Sequence, residues 1–564
     1  MIILQWRGWL RGEHLAVIFA SVFFFGAAFA GPPQAAVATA HPLATRAGIE
    51  TLDRGGNAFD AAVAVTAALA VVEPAGSGLG GGGFWLLHRA SDGLDIMLDG
   101  RERAPLAARR DMYLDREGRF VPELARDGPL SAAIPGMPAA IAHLAENYGR
   151  LPLRKSLAPA IRYASKGFKI GERHRRLLGF RRDLLSGSPA AAKVFLADGR
   201  VPGAAAVLVQ KDLAAVLEGI GEHGTDGFYR GRVAEKLVEG VRLAGGIWTL
   251  RDLEQYRVAE REPVSGLYRG IRITSAAPPS SGGVVLLEAL NILSGYDLDA
   301  LDEITRKHLV IEAMRRAYHD RALYLGDPDF VEMPVGRLLD EDYAAGLRSS
   351  IRYDRALPSA YLSADVADKI GGQDTTHFSV IDRDGNRVGA TLSVNFPFGS
   401  GFMPPNTGVV LNDEMDDFVG EPGEPNSYGL IGGAANEIAP GKRMLSSMTP
   451  TFLEDARRVA VLGTPGGSRI ISMMLLAVLD FAAGGGADAW VWAPRFHHQY
   501  IPDVVHYEKG GLTDDEIEGL EKLGHTLKEV GYRYGDMHAV LWDKSGNTIT
   551  AASDPRGEGL AVVR

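Results

Sequence analysis

Apolar residues recur at helical spacing from Pro42 to Val72 on either side of Gly55-Gly56-Asn57, which predicts two helices joined by a turn. The same rhythm predicts helices over residues 153–166, 233–243 and 304–325. In the last of these, Leu309, Ile311, Met314 and Ala317 share one side, with Arg315, Arg316 and Asp320 elsewhere. That is the pattern of an amphipathic surface helix. After residue 374 the pattern changes. Phe378-Ser-Val-Ile381 and the run from Val388 to Val394 flank Arg383-Asp-Gly-Asn386, a hairpin signature with Asp-Gly in the turn. A second hairpin is predicted from His538-Ala-Val-Leu-Trp542, a turn at Lys544-Ser-Gly-Asn547, and Thr548 to Ala552. Val459-Ala-Val-Leu462 reads as a strand entering Gly463-Thr-Pro-Gly-Gly467, followed by a helix from about Ser468 to Ala483. A helix-rich first part and a strand-rich second part with no linker between them predict an α/β (α+β) assembly in one compact unit.

Composition narrows the function classes. Of 564 residues, 46% are hydrophobic and 23% charged, the balance of a globular chain. Glycine is in excess, 69 residues, which points to tight turns and close backbone approaches. A net charge of −10 argues against a nucleic-acid binder. With no cysteine, disulfides, thiol catalysis and Cys-ligated metals are excluded. At the N-terminus, Arg7 and Arg11 precede an uncharged apolar run from Leu15 to Ala30 that ends Ala28-Phe29-Ala30. The expectation is a signal peptide over residues 1–30 and export to the periplasm or beyond, with an uncleaved anchor as the alternative.

The stretch Asp374-Thr375-Thr376-His377 carries the chemistry worth weighing. On propensity, two threonines entering a strand are ordinary. A threonine hydroxyl is a weak nucleophile that needs a base. A threonine made N-terminal has one in its own α-amine, of ordinary pKa ~7.7–8.0. By composition alone, Glu414 and Asp417 belong to a solvated acidic loop and Arg101 is a surface charge. The glycine-dense stretch from Gly76 to Gly83 lacks the Gly-Lys-Ser/Thr of a phosphate loop and reads as close packing of backbone near the site. Adjacent His497 and His498 have no third ligand at metal-binding spacing, and His377 reads as structural.

The chain resembles the γ-glutamyltransferase (glutathione hydrolase) family of self-cleaving N-terminal-nucleophile hydrolases. The resemblance runs from about Ala38 to the C-terminus. Its motifs include Gly56-Asn-Ala-Phe-Asp-Ala-Ala62, Pro74-Ala-Gly-Ser-Gly-Leu-Gly-Gly-Gly-Gly-Phe84, Asp99-Gly-Arg-Glu-Arg-Ala-Pro105 and Pro279-Ser-Ser-Gly-Gly283. Tyr324-Leu-Gly-Asp-Pro-Asp-Phe330, Leu411-Asn-Asp-Glu-Met-Asp-Asp-Phe418, Leu445-Ser-Ser447, Pro465-Gly-Gly-Ser-Arg469, Ala493-Pro-Arg-Phe-His-His498 and Ala552-Ser-Asp-Pro-Arg556 continue it.

The resemblance implies a four-layer αββα sandwich, and autocatalytic cleavage between Asp374 and Thr375 into a large subunit, residues 31–374, and a small one, residues 375–564. It makes Thr375 the nucleophile and Ser393 its supporting hydroxyl, where the family usually has threonine. Gly466 and Gly467 become the oxyanion hole. Arg101, Ser446 and Ser447 become the clamp for an α-carboxylate, and Asn395, Glu414 and Asp417 the ammonium side. The segment from Pro422 to Gly433 resembles the family's lid, with Tyr428 screening the site. Relatives that act mainly as cephalosporin acylases tend to lack that lid. The expected substrates are glutathione and its conjugates, with water, amino acids or peptides as acceptors and no cofactor. The rivals are a glutaryl (cephalosporin) acylase and a non-catalytic binding protein on the same scaffold.

Overall fold

The strand Gly82–Arg89 shows how the layers are set. Phe84 and Leu86 belong to one apolar cluster while Trp85 and Leu87 belong to another. Alternation into two separate cores means that its sheet is covered on both faces. This seven-stranded sheet runs Leu560–Val563, Ala36–Thr39, Thr376–Ile381, Arg387–Ser393, Gly82–Arg89, Leu94–Gly100, Ala259–Arg261, with every neighbouring pair antiparallel. A six-stranded antiparallel sheet runs Thr548–Ser553, His538–Asp543, Arg458–Gly463, Thr451–Glu454, Ile271–Ser275, Val264–Tyr268. One core lies between the first sheet and helices Pro42–Asp53, Ala58–Val72, Met137–Asn147 and Leu153–Lys166. The other joins the two sheets, and joins the second sheet to helices Gly282–Leu293, Glu303–Tyr324 and Ile470–Ala482. The result is the four-layer αββα sandwich of the N-terminal-nucleophile hydrolases, an α+β architecture.

The computed structural model describes residues 31–362, 375–420, 425–426 and 428–564. From Pro32 to Arg564 the chain forms one compact unit. The apolar run ending at Ala30, the residue Asp374, and the lid positions 422–424 and 427 lie outside the described residues. Among the described residues no helix is long and apolar enough to cross a membrane.

Most expected elements are present. The helix pair is Pro42–Asp53 and Ala58–Val72, the third is Leu153–Lys166 and the fourth Gly231–Leu243. Both hairpins form, as Thr376–Ile381 with Arg387–Ser393 and His538–Asp543 with Thr548–Ser553. Asn57 starts the second helix with a capping box, its side chain accepting from Phe59 and Asp60. The first part is helix-rich and the second strand-rich, as expected, and strands from both parts enter both sheets. One expectation fails. Helix Glu303–Tyr324 is not a surface helix: Arg315, Arg316 and Asp320 are all at most 2% exposed. Arg315 and Arg316 donate to the two oxygens of Glu312 at 3.0 and 2.7 Å, and Arg315 also reaches Asp503. Paired in this way, charges that read as solvent-facing are tolerated inside.

Candidate active site

Thr375 stands immediately before the strand Thr376–Ile381 and is buried. In that hairpin Leu392 faces Thr376, so the register carries Ser393 opposite Thr375. Ser393 Oγ accepts from the Asn395 N–H at 2.7 Å. The glycine-dense stretch packs against this pair as expected: a Cβ on Gly81 would lie 2.1 Å from the Ser393 carbonyl oxygen, so no larger residue fits. On the other side, Thr376 Oγ1 donates to Glu73 Oε2 at 2.6 Å. Arg173 Nη1 then links Glu73, at 3.1 Å, to Asp536, at 2.8 Å. Two carboxylates share one guanidinium, and burial raises the pKa of both. Glu73 is shifted up and Asp536 is pushed to about 8, against the opposing pull of Arg173. His377 is occupied with strand hydroxyls, Nδ1 with Thr391 at 2.9 Å and Nε2 with Ser379 at 3.1 Å. Burial holds its pKa well below the usual value.

Gly466 and Gly467 link the strand Arg458–Gly463 to a 3-10 turn, Gly467–Arg469, that leads into the helix Ile470–Ala482. Their φ angles, 144° and 57°, are ones that favour glycine. Among the described residues neither N–H has a hydrogen-bond acceptor in the protein. Two adjacent amides without acceptors at a helix N-terminus are suited to a developing oxyanion. A Cβ on Gly467 would also lie 2.3 Å from the Tyr428 ring. Tyr428 therefore packs directly on the turn.

Thr375, Ser393, Asn395, Glu414 and Asp417 line one cavity. Arg101, Ser446, Ser447, Tyr428 and Gly467 line the same cavity, and Gly466 adjoins it through the turn. The solvent-exposed readings of Arg101 and Glu414 do not hold: each is 1% exposed, and Asp417 is half-buried on a 3-10 turn, Glu414–Asp417. Arg101 donates through Nη1 to Glu414 and through Nη2 to Asp417 at 2.5 Å, so the two expected clusters are ion-paired with each other. Burial alone would lower the Arg101 pKa, but Glu414, Glu102 and Asp417 outweigh it and raise it further. Burial raises Glu414, with Asp417 adding to the shift and Arg101 opposing it. The surrounding motifs hold the loops in place. Asn412 ties the acidic turn to Gly80 and Ala133 through its amide, and Ser281 Oγ donates to the Ser446 carbonyl at 2.7 Å.

Tyr428 is 6% exposed, its hydroxyl donating to the Asn395 carbonyl at 2.9 Å and its ring 5.6 Å from that of Phe396. Asn426, beside it, donates to Asp417 Oδ1 at 3.1 Å. Sequence reasoning missed Arg321, which lines the cavity and is buried. Its position was legible: it continues the stripe of Met314 and Ala317 at i+7 and i+4, a charge on a buried helix face. Among the described residues one cluster has metal-ligating types, His308, Glu312 and His525. The two imidazoles bond each other at 2.7 Å and both Glu312 oxygens are held by arginines, while His525 Nδ1 is buried without a hydrogen-bond partner among the described residues. His497 and His498 lie in separate networks, with Gln499 at 2.8 Å and Asp503 at 3.1 Å.

A threonine at the head of a sandwich strand, with a glycine turn of acceptor-free amides, defines an N-terminal-nucleophile hydrolase. The comparisons with known proteins narrow this class. The family model for gamma-glutamyltranspeptidase matches residues 44–563. The chain is 45% identical over 499 residues to the glutathione hydrolase proenzyme of Pseudomonas sp. strain A14, covering 88% of this chain and 86% of that one. It is 39% identical to the glutathione hydrolase proenzyme of Escherichia coli strain K12, covering 93% and 90%. Among solved structures, a cephalosporin acylase from Bacillus halodurans aligns with TM-score 0.82 at 28% identity, over 100% of this chain and 99% of that one. The gamma-glutamyltranspeptidase of Helicobacter pylori aligns with TM-score 0.56 at 41% identity, over 57% of this chain and 93% of that one. This chain belongs to the γ-glutamyltranspeptidase family.

Proposed function

We propose that this enzyme is a γ-glutamyltransferase with glutathione hydrolase activity, acting on γ-glutamyl amides through Thr375. One observation carries the reading. One cavity is lined by the strand-head threonine, the glycine turn, and a matched set of arginine, serine hydroxyls and carboxylates. The α-carboxylate and α-ammonium of a γ-glutamyl group need that complement of charges at one end of a short chain.

Chain cleavage before Thr375 frees its α-amine, which takes the proton of Oγ as that oxygen attacks the γ-carbonyl. The Gly466 and Gly467 amides stabilise the oxyanion. The tetrahedral species collapses, the C–N bond breaks, and the α-ammonium returns its proton to the leaving amine. A γ-glutamyl ester on Thr375 remains. Water then releases glutamate, or an amino acid or peptide amine takes the acyl group. Residues 31–374 and 375–564 become the two subunits of the mature enzyme, and the apolar run before Gly31 directs export.

The test is N-terminal sequencing of the purified protein combined with a γ-glutamyl-p-nitroanilide assay on wild type and Thr375→Ala. The expected result is a fragment beginning at Thr375 and release of nitroaniline by wild type, with the variant uncleaved and inactive. Full activity in an unbroken chain would overturn the reading. A glutaryl acylase, suggested by the B. halodurans neighbour, would instead prefer glutaryl-7-aminocephalosporanic acid. The packed Tyr428 favours the smaller γ-glutamyl donor.

A further inference from the structure

The helix Ile470–Ala482 has one end at the glycine turn and the other at a second cavity, of about 360 Å³, that shares no residue with the first. Ile470 lines the first cavity and Asp480 the second, roughly 15 Å further along the helix axis. The opening turns of helix Glu303–Tyr324, the end of strand Val264–Tyr268 and residues 510–513 complete the enclosure. Leu298, Val310, Leu476, Leu479, Phe496 and Leu512 give it apolar walls. Leu476, Leu479 and Ala482 pack on the core yet keep part of their surface uncovered. A void of this size and lining has room for a small organic molecule.

The charges around it are paired except one. Arg269 donates to Asp299 at 2.7 Å, Arg306 to Glu303 at 2.7 Å, and Lys307 to Glu303 and Glu516 at 3.1 and 2.6 Å. Among the described residues Asp480 makes no ion pair, and its Oδ2 is buried without a hydrogen-bond partner. It stands in the last turn of its helix, where the partial negative charge of the backbone disfavours an acid. Burial raises its pKa, and the Trp490 N–H, nearby but outside hydrogen-bond geometry, pulls the other way. Tyr268 adds a second unspent group: it is 1% exposed, and its hydroxyl has no partner among the described residues. An anionic ligand would meet Asp480 with the three cations already engaged. A neutral apolar molecule would cover the walls and leave the carboxylate uncompensated. An organic cation satisfies both.

We propose that this cavity is a second binding site, for an organic ammonium ion with an apolar body, its charge at Asp480 and its body against Leu476 and Leu479. The site is separate from the one that cleaves γ-glutamyl amides and takes a ligand that need not be a substrate.

Isothermal titration calorimetry of the purified enzyme, with no γ-glutamyl donor present, tests the assignment with n-hexylamine, n-hexanol and hexanoate as probes. Hexylammonium is expected to bind, hexanol to bind weaker by about tenfold or more, and hexanoate to give no heat. Asp480→Asn is expected to weaken hexylammonium by about tenfold or more, the worth of a hydrogen bond to a charged group. Leu476→Trp fills the cavity and is expected to abolish hexylammonium binding. Neither residue belongs to the catalytic machinery, so kcat/KM for γ-glutamyl-p-nitroanilide should stay within about threefold of wild type in both variants, which also reports that they fold. Equal affinity for hexylammonium and hexanol, wild-type affinity in Asp480→Asn, or no heat with any probe would overturn the assignment. Hexylammonium that binds Leu476→Trp as tightly as wild type sits elsewhere and overturns it too. If Leu476→Trp fails to fold, the comparison of Asp480→Asn with wild type decides.

Discussion

Removing the Arg101 side chain would leave Glu414 and Asp417 facing each other at the cavity without the cation that joins them. Arg101→Ala is therefore expected to act twice. KM for γ-glutamyl-p-nitroanilide rises about tenfold or more because the ammonium-side carboxylates lose their anchor. Unfolding stability falls by about 3–5 kcal/mol, the usual cost of orphaning one side of a buried ion pair. Self-cleavage, which needs only Thr375 and its neighbours, should continue. Steady-state kinetics and urea denaturation check the two effects separately, and an unchanged KM would remove Arg101 from the binding site. At Ser393 the hydroxyl is kept without the usual methyl, and its oxygen is held by the Asn395 amide at 2.7 Å. The family resemblance named ten of the eleven candidate residues that this cavity gathers, with Gly466 completing the turn beside it, whereas composition alone reads Arg101, Glu414 and Asp417 as solvent-exposed. Arg321 escaped because its helix reads as a surface helix, although it continues the apolar stripe of Met314 and Ala317.

Two elements meet at Gly467. The strand-to-helix turn presents the amides, and the Tyr428 ring lies on it with no room for a methyl group. Gly467→Ala is expected to lower kcat by about 10²-fold, since it both strains the turn and displaces the lid. Stopped-flow and steady-state rates on γ-glutamyl-p-nitroanilide measure it, and near-wild-type kcat would show that the amides do not serve the oxyanion. Tyr428→Phe removes one hydrogen bond, to the Asn395 carbonyl, and should cost only about 1 kcal/mol of lid closure. Tyr428→Ala opens the wall itself and is expected to raise turnover of glutaryl-7-aminocephalosporanic acid relative to the γ-glutamyl anilide. A lid that leaves this ratio unchanged has no part in selecting the donor.

Across the whole molecule, Glu73 and Arg173 from the first part of the chain meet Thr376 and Asp536 from the second, next to Thr375. Burial places the folded pKa of Asp536 at about 8, above its ordinary value near ~3.9. The native state then binds this proton more tightly than the unfolded chain does. The stability it contributes is full below about pH 4 and is lost as pH rises toward 8. Denaturation midpoints are expected to fall across that window in wild type and to fall less in Asp536→Asn. Parallel pH profiles would show that Asp536 does not hold the proton. The periods along the chain were enough to set the helices and hairpins, because side-chain spacing of 3.6 or 2 follows from backbone geometry alone. The motifs along the chain likewise carried the resemblance that implies the chemistry. Which charges are buried, that Arg101 pairs with the acids opposite, that Arg321 faces the cavity, and that both sheets draw on both halves of the chain are matters of contacts between residues hundreds of positions apart. Electrostatic partnership and burial depend on distance in space, which only the folded packing supplies.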